Sequence, residues 1–172
     1  AFWNMNGRMD QPSAQQAMKR ILQAVGPDIL ALSEVADVSP AFVQSLLNNW
    51  LPIEGGGSWN IVEDDWDLMI AAKGEIVSSF SSVTRQFPAL VQGHPDWGAP
   101  LLVTSSHLKC CGGASNEAQR QAEADEYMGF LRDAIAGEGE VSIPWNTPVV
   151  YGGDLNMVGL EAPIYTLLTG DI

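Results

Sequence analysis

Apolar residues recur along this chain with two different periods. From Ser13 to Val25 they fall at Ala14, Ala17, Met18, Ile21, Leu22 and Val25, a stripe at helical spacing that Gly26-Pro27 stops, and the pattern predicts a helix there. Asp28 to Val35 is instead a short apolar run bounded by a turn. It is too brief for a stable helix and reads as a buried strand, with Glu34 where the strand emerges. Ser39-Pro40 then supplies an N-cap with proline at the first helical position, and Phe42, Val43, Leu46, Leu47 and Trp50 continue an apolar face closed by Pro52 and Gly55-Gly56-Gly57. Strand-like stretches follow at Trp59–Val62, Asp67–Ala72, Glu75–Val83 and Leu101–Ser106, with a loop at Gly93-His94-Pro95-Asp96. A long helix is predicted from Ser115 to Ala136, with Tyr127, Phe130, Leu131 and Ile135 on one side and Arg120, Glu123 and Glu126 among the polar positions. Pro148 to Asp154 reads as a buried strand running into a glycine-rich turn, and Pro163 to Leu168 as the start of a helix. At the amino end, Ala1-Phe2-Trp3 reads as the middle of a strand that Asn6-Gly7 ends.

Strands and helices interleave, yet several strands follow one another directly, which points to mixed sheets covered by helices and away from a simple doubly wound sheet. With 172 residues, 46% apolar and 17% charged, the chain is expected to form one domain with its own core. No run approaches the roughly 18 apolar residues of a membrane span, so no stable membrane insertion is expected. Eight Lys and Arg against 21 Asp and Glu leave a formal charge of -13, which excludes a broad basic footprint for nucleic acid and counts against a passive DNA-binding module. An enzyme is compatible with this balance, because clustered carboxylates are what a hard divalent cation requires. The two cysteines, Cys110 and Cys111, are adjacent; they could close only a strained ring disulfide, cannot build a zinc site, and are expected as free thiols.

Four segments place polar residues where strands end or break: Trp3-Asn4-Met5-Asn6, Leu32-Ser33-Glu34, Ser106-His107-Leu108-Lys109 and Gly153-Asp154-Leu155-Asn156. Singly, each has an ordinary explanation as a turn cap, a solvated strand edge or a turn of common composition. In this order they resemble the motif series of the endonuclease/exonuclease/phosphatase family, whose members share a fold similar to pancreatic deoxyribonuclease. A strand ending in Trp-Asn is matched by Trp3-Asn4 and the Asp-Ile-Leu-X-Leu-X-Glu pattern by Asp28 to Glu34, with Ser33 where Gln is common. His-Leu-Lys is matched by His107 to Lys109, and Gly-Asp-X-Asn by Gly153 to Asn156. The resemblance spans the chain.

It implies two mixed sheets packed face to face and flanked by helices, an α+β four-layer sandwich, and a metal-dependent phosphoester hydrolase using Mg²⁺ or Mn²⁺. Glu34 is expected to ligate the cation, supported by the amide oxygen of Asn4, since a carboxylate at a strand end offers an oxygen ligand while leaving waters on the ion. Asp154 is expected to orient or activate water, Asn156 to hold the phosphate or that carboxylate, and His107 to donate to phosphate oxygens or the leaving group. Asn6, Lys109 and Arg120 are candidate substrate contacts. The family series closes with an earlier Asp and a Ser-Asp-His segment, absent after Asn156; His94 lies in the wrong order to replace that histidine. The domain is therefore expected to be incomplete at its carboxyl end and clipped at its amino end, and these residues alone inactive or severely impaired. Nucleic acid is the expected substrate class, then a small or lipid phosphoester, for which Trp59, Trp66 and Trp97 beside loops leave room. A noncatalytic scaffold domain is the reading from another class. An acidic, lysine-poor phosphodiesterase fits a secreted or periplasmic setting.

Overall fold

The computed structural model describes residues 1–92, 99–139 and 141–172. In chain order the elements are β1 (Phe2–Asn4), α1 (Pro12–Val25), β2 (Ile29–Ser33), α2 (Pro40–Trp50), β3 (Asn60–Glu63), β4 (Leu68–Ala72), β5 (Ile76–Ser79), β6 (Gln86–Val91), β7 (Leu101–His107), α3 (Ala114–Ala136), β8 (Val149–Asp154) and α4 (Ala162–Thr169). Both early helices begin with proline in the first turn, where its missing N–H costs nothing. Ser39 caps α2, its hydroxyl accepting from the Phe42 N–H at 3.3 Å.

The strands form two four-stranded mixed sheets, ordered β1-β2-β4-β3 and β5-β6-β7-β8. In each, one parallel pair lies at an edge: β1 beside β2, and β8 beside β7. Three apolar clusters separate the layers. Met18, Leu22, Val43, Leu47 and Trp50 of α1 and α2 pack against Leu30, Leu32, Met69 and Ala71 of the first sheet. Ala31, Leu68, Ile70 and Ala72 on its other side meet Phe87, Ala89, Val91 and Val103 of the second sheet. Leu90 and Leu102 face Ala134 of α3 and Ile143. The result is a DNase I-like four-layer α+β sandwich, with successive residues of each central strand facing alternate apolar layers and residues i and i+2 sharing one.

The structure corrects the pattern at several points. The run expected from Glu75 to Val83 stops as a strand at Ser79, and Val83 instead bridges to Gln86 at the start of β6. β6 itself is not evident in the sequence because Pro88 lies in its middle, which ordinarily demotes a run to an edge or a non-strand. Here the Pro88 carbonyl accepts from Phe80 N–H at 2.9 Å, beyond the last residue of β5, so its donorless nitrogen faces the end of that ladder. In α3, Arg120 and Glu123 are not on a solvated face; both are about fully buried, whereas Ile135 is exposed. Trp59 is a core residue, its indole N–H donating to the Leu51 carbonyl at 2.9 Å, while Trp66 is exposed. The expected loop at Gly93-His94-Pro95-Asp96, and Trp97, fall outside the described residues.

Candidate metal centre

The two parallel pairs bring four strand ends together. Asn4 pairs with Ser33 in register, so Asn4 stands beside the residue preceding Glu34. His107 pairs with Asp154 at the end of the second pair. The sheets are tied close to this point by Ser105 Oγ, which donates to the Leu32 carbonyl at 2.9 Å across the buried interface. Glu34 turns out of its strand at φ 55°, a left-handed conformation unusual for a residue with a side chain, and its carbonyl is held by Gly7 N–H at 3.0 Å. At the other pair, Gly153 has φ 140°, and a β-carbon there would stand 1.9 Å from the Ser106 carbonyl oxygen. Only glycine lets β8 press this closely on β7 and deliver Asp154 beside His107.

The resulting geometry is a tight polar cluster. One ligand-capable atom from each of Glu34, His107 and Asp154 lies within 4.8 Å of the others. Asn4 Nδ2 donates to Glu34 Oε1 at 2.8 Å and to Asp154 Oδ2 at 2.9 Å, joining a carboxylate from each sheet. His107 Nε2 stands 3.5 Å from Glu34 Oε1. Asn156, at φ 48°, sends its backbone N–H to Asp154 Oδ1 at 3.2 Å and its side-chain amide to the Leu108 carbonyl at 3.0 Å. It therefore spans the loops after β7 and β8.

Behind the cluster, α3 grips the turn that follows His107. Glu123 Oε2 accepts from Lys109 N–H at 2.8 Å, and Arg120 Nη1 donates to the carbonyls of Lys109 and Cys111, each at 2.8 Å. Arg120 Nη2 also donates to the Val158 carbonyl. Arg85 Nε donates to the His107 carbonyl at 2.7 Å. Burial raises the Glu123 carboxyl above its ordinary range, against the Lys109 N–H, Arg85 and Gln119, which favour its charged form. Tyr151 donates to Gln86 Oε1 at 2.6 Å and shares a hydrogen bond with Ser106 Oγ; burial pushes its phenol upward, and pushes the neighbouring Tyr127 up to about 12.

Asn4, Glu34, His107, Asp154 and Asn156 thus lie together. The structure alters two of the expected roles. Asn4 does not present its amide oxygen to the cluster: Oδ1 accepts from Asn6 N–H at 2.9 Å, and the amide nitrogen faces the carboxylates. Arg120 is not a surface contact for substrate, because it is buried and its guanidinium is engaged by three backbone carbonyls. Asn6 is exposed at the rim, and Lys109 is half-buried with its backbone held at both ends. The supporting residues Arg85, Gln86, Glu123 and Tyr151 were not marked by sequence; the one available signal was Glu123 at i+3 from Arg120, a spacing that puts both on one helix face.

No family model and no curated protein sequence matches the chain. Solved structures do. TDP2 from C. elegans is 23% identical, with a TM-score of 0.60 over 91% of this chain and 47% of that one, so the chain spans about half the length of that protein. The human Nocturnin catalytic domain with bound sulfate anion is 18% identical, with a TM-score of 0.69 over 98% of this chain and 67% of that one. D. rerio TDP2 complexed with single-strand DNA product is 20% identical, with a TM-score of 0.56 over 96% and 62%. These likenesses show a shared fold.

Proposed function

We propose that the chain carries most of the centre of a metal-dependent phosphoester hydrolase, with nucleic acid the favoured substrate class. The observation that supports this most is the Glu34–His107–Asp154 cluster, built from the ends of both sheets. The donor set fits a hard divalent cation such as Mg²⁺ or Mn²⁺. Two carboxylates share one amide donor, among the described residues no Lys or Arg forms an ion pair with either, and all three groups are only half-buried, leaving room for water ligands. Glu34, with Asp154 beside it, would hold the ion, whose charge would offset that building on phosphoryl oxygens.

The side chains divide the remaining work. Asn4 fixes the spacing of the two carboxylates. Asp154, held by the Asn156 backbone N–H, is placed to orient a water molecule for in-line attack. His107, at the rim beside Glu34, can donate through Nε2 to a nonbridging or leaving oxygen, where negative charge grows most in the transition state. The sulfate held by Nocturnin and the DNA product held by D. rerio TDP2 support an anionic, phosphate-like ligand on this fold.

Nicking of supercoiled plasmid with Mg²⁺, with and without chelator, tests the reading alongside Mn²⁺ titration by calorimetry. Chelator-sensitive nicking and Mn²⁺ binding, both abolished in Glu34→Ala, are expected. Nicking that survives chelation, or Mn²⁺ binding undisturbed by Glu34→Ala, would remove the proposal.

A further inference from the structure

The thiols of Cys110 and Cys111, one residue beyond the His107-Leu108-Lys109 turn, stand 2.8 Å apart at Sγ. Consecutive side chains on an extended chain point to opposite sides. Here Cys111 has φ 75°, and this bend brings both sulfurs together. Both are free; Cys111 is exposed and Cys110 half-buried, so small solutes reach the pair.

The pair is also wired to the metal centre. The carbonyls of Lys109 and Cys111, which flank the Cys110–Cys111 peptide, both accept from Arg120 Nη1 at 2.8 Å. The same guanidinium holds Val158 in the loop after β8, and Asn156 of that loop holds the Leu108 carbonyl. Movement of the Cys110–Cys111 peptide therefore reaches both loops that carry the cluster.

We propose that Cys110 and Cys111 are a modification site for peroxides, closing to a ring disulfide whose formation displaces the Cys111 carbonyl from Arg120 and shifts His107. One thiolate attacks a peroxide oxygen; the O–O bond breaks, a sulfenic acid forms, and with hydrogen peroxide one water leaves. The second sulfur then attacks the sulfenic sulfur, the S–S bond forms, the S–O bond breaks and a second water leaves. The two thiols lose two electrons, the peroxide gains them, and both thiol protons end in water. The sulfurs close from 2.8 Å to about 2.05 Å, and the small ring that results places its strain on the peptide between them. A dithiol reductant reverses the reaction.

The effect on hydrolysis rests on the metal-dependent reading above, whereas ring closure does not. The chain is treated with hydrogen peroxide and followed by intact mass, by the NMR signals of the His107 imidazole, and by Mn²⁺ titration. Expected are a monomer lighter by two hydrogens, restored by dithiothreitol, shifted His107 signals, and Mn²⁺ affinity changed about fivefold or more, the lower range of coupling between sites. Cys110→Ser and Cys111→Ser each remove all three effects while leaving the untreated His107 signals in place. Stepwise oxygen addition or disulfide-linked dimers would overturn the site. Ring closure with His107 unmoved would overturn the coupling. Absence of Mn²⁺ binding in both redox states would sink the hydrolase reading alone, with mass and NMR still deciding the modification.

Discussion

The amide of Asn4 gives one hydrogen to each of two carboxylates that would otherwise repel, which makes it the brace of the cluster. Asn4→Ala is expected to weaken Mn²⁺ binding about 10- to 100-fold, the usual cost of losing a group that orients metal ligands, whereas Glu34→Ala removes binding; calorimetry on both separates brace from ligand. Glu123 gives a pH signature. Its carboxyl is raised in the folded chain above the ordinary 4.5, so folding favours the protonated form. That contribution is complete below 4.5 and is lost as pH rises through the folded value. Urea midpoints should therefore show wild type losing ground to Glu123→Gln across that interval and holding a constant difference above it; a difference that grows in wild type's favour with pH would contradict the burial argument. That Asn4, Glu34, His107, Asp154 and Asn156 would lie together was legible because each sits at or just past a strand end inside a recognisable motif. Sequence did not suffice for Arg120, since an arginine on a helix reads as solvated until the loop it holds is in place.

Strand pairing sets the site's precision. The Gly152-Gly153 step lets β8 close on β7, and a methyl group at Gly153 meets the Ser106 backbone where neither side can yield. Gly153→Ala is expected to cost on the order of several kcal/mol and to separate His107 from Asp154, read as a lowered thermal midpoint together with lost Mn²⁺ binding. A variant of wild-type stability would contradict that packing. α2 and β2 were legible because their period agreed with their burial, whereas α1 was legible in extent but not in face, since Ala17, Ile21 and Val25 of its apolar stripe are exposed. β6 was hidden because Pro88 breaks the local rule, and the compensation, the end of the β5 ladder, belongs to tertiary pairing. The length of α3 was legible but its buried face was not, as two of the side chains on it are charged.

For the molecule as a whole, a charge of -13 shapes any encounter with a polyanion. Raising ionic strength from about 0.01 to about 0.15 M shortens the screening length from about 30 to about 8 Å, so on the proposed function kcat/KM for DNA should rise with salt while that for a small, singly charged diester changes little. A fall with salt would point to a basic substrate track. Composition carried this much, and the alternation of elements carried the sandwich; the strand order β1-β2-β4-β3 could not be read, because it depends on which edges meet after collapse. One consequence follows from the way the cluster is divided, with Asn4 and Glu34 on one sheet and His107 and Asp154 on the other. A chain emerging from synthesis with only its first sheet formed is chemically silent, and a chain whose sheets have parted is silent again. Docking of the two sheets is thus the step that assembles the candidate centre, so any activity it carries would report on the completed fold.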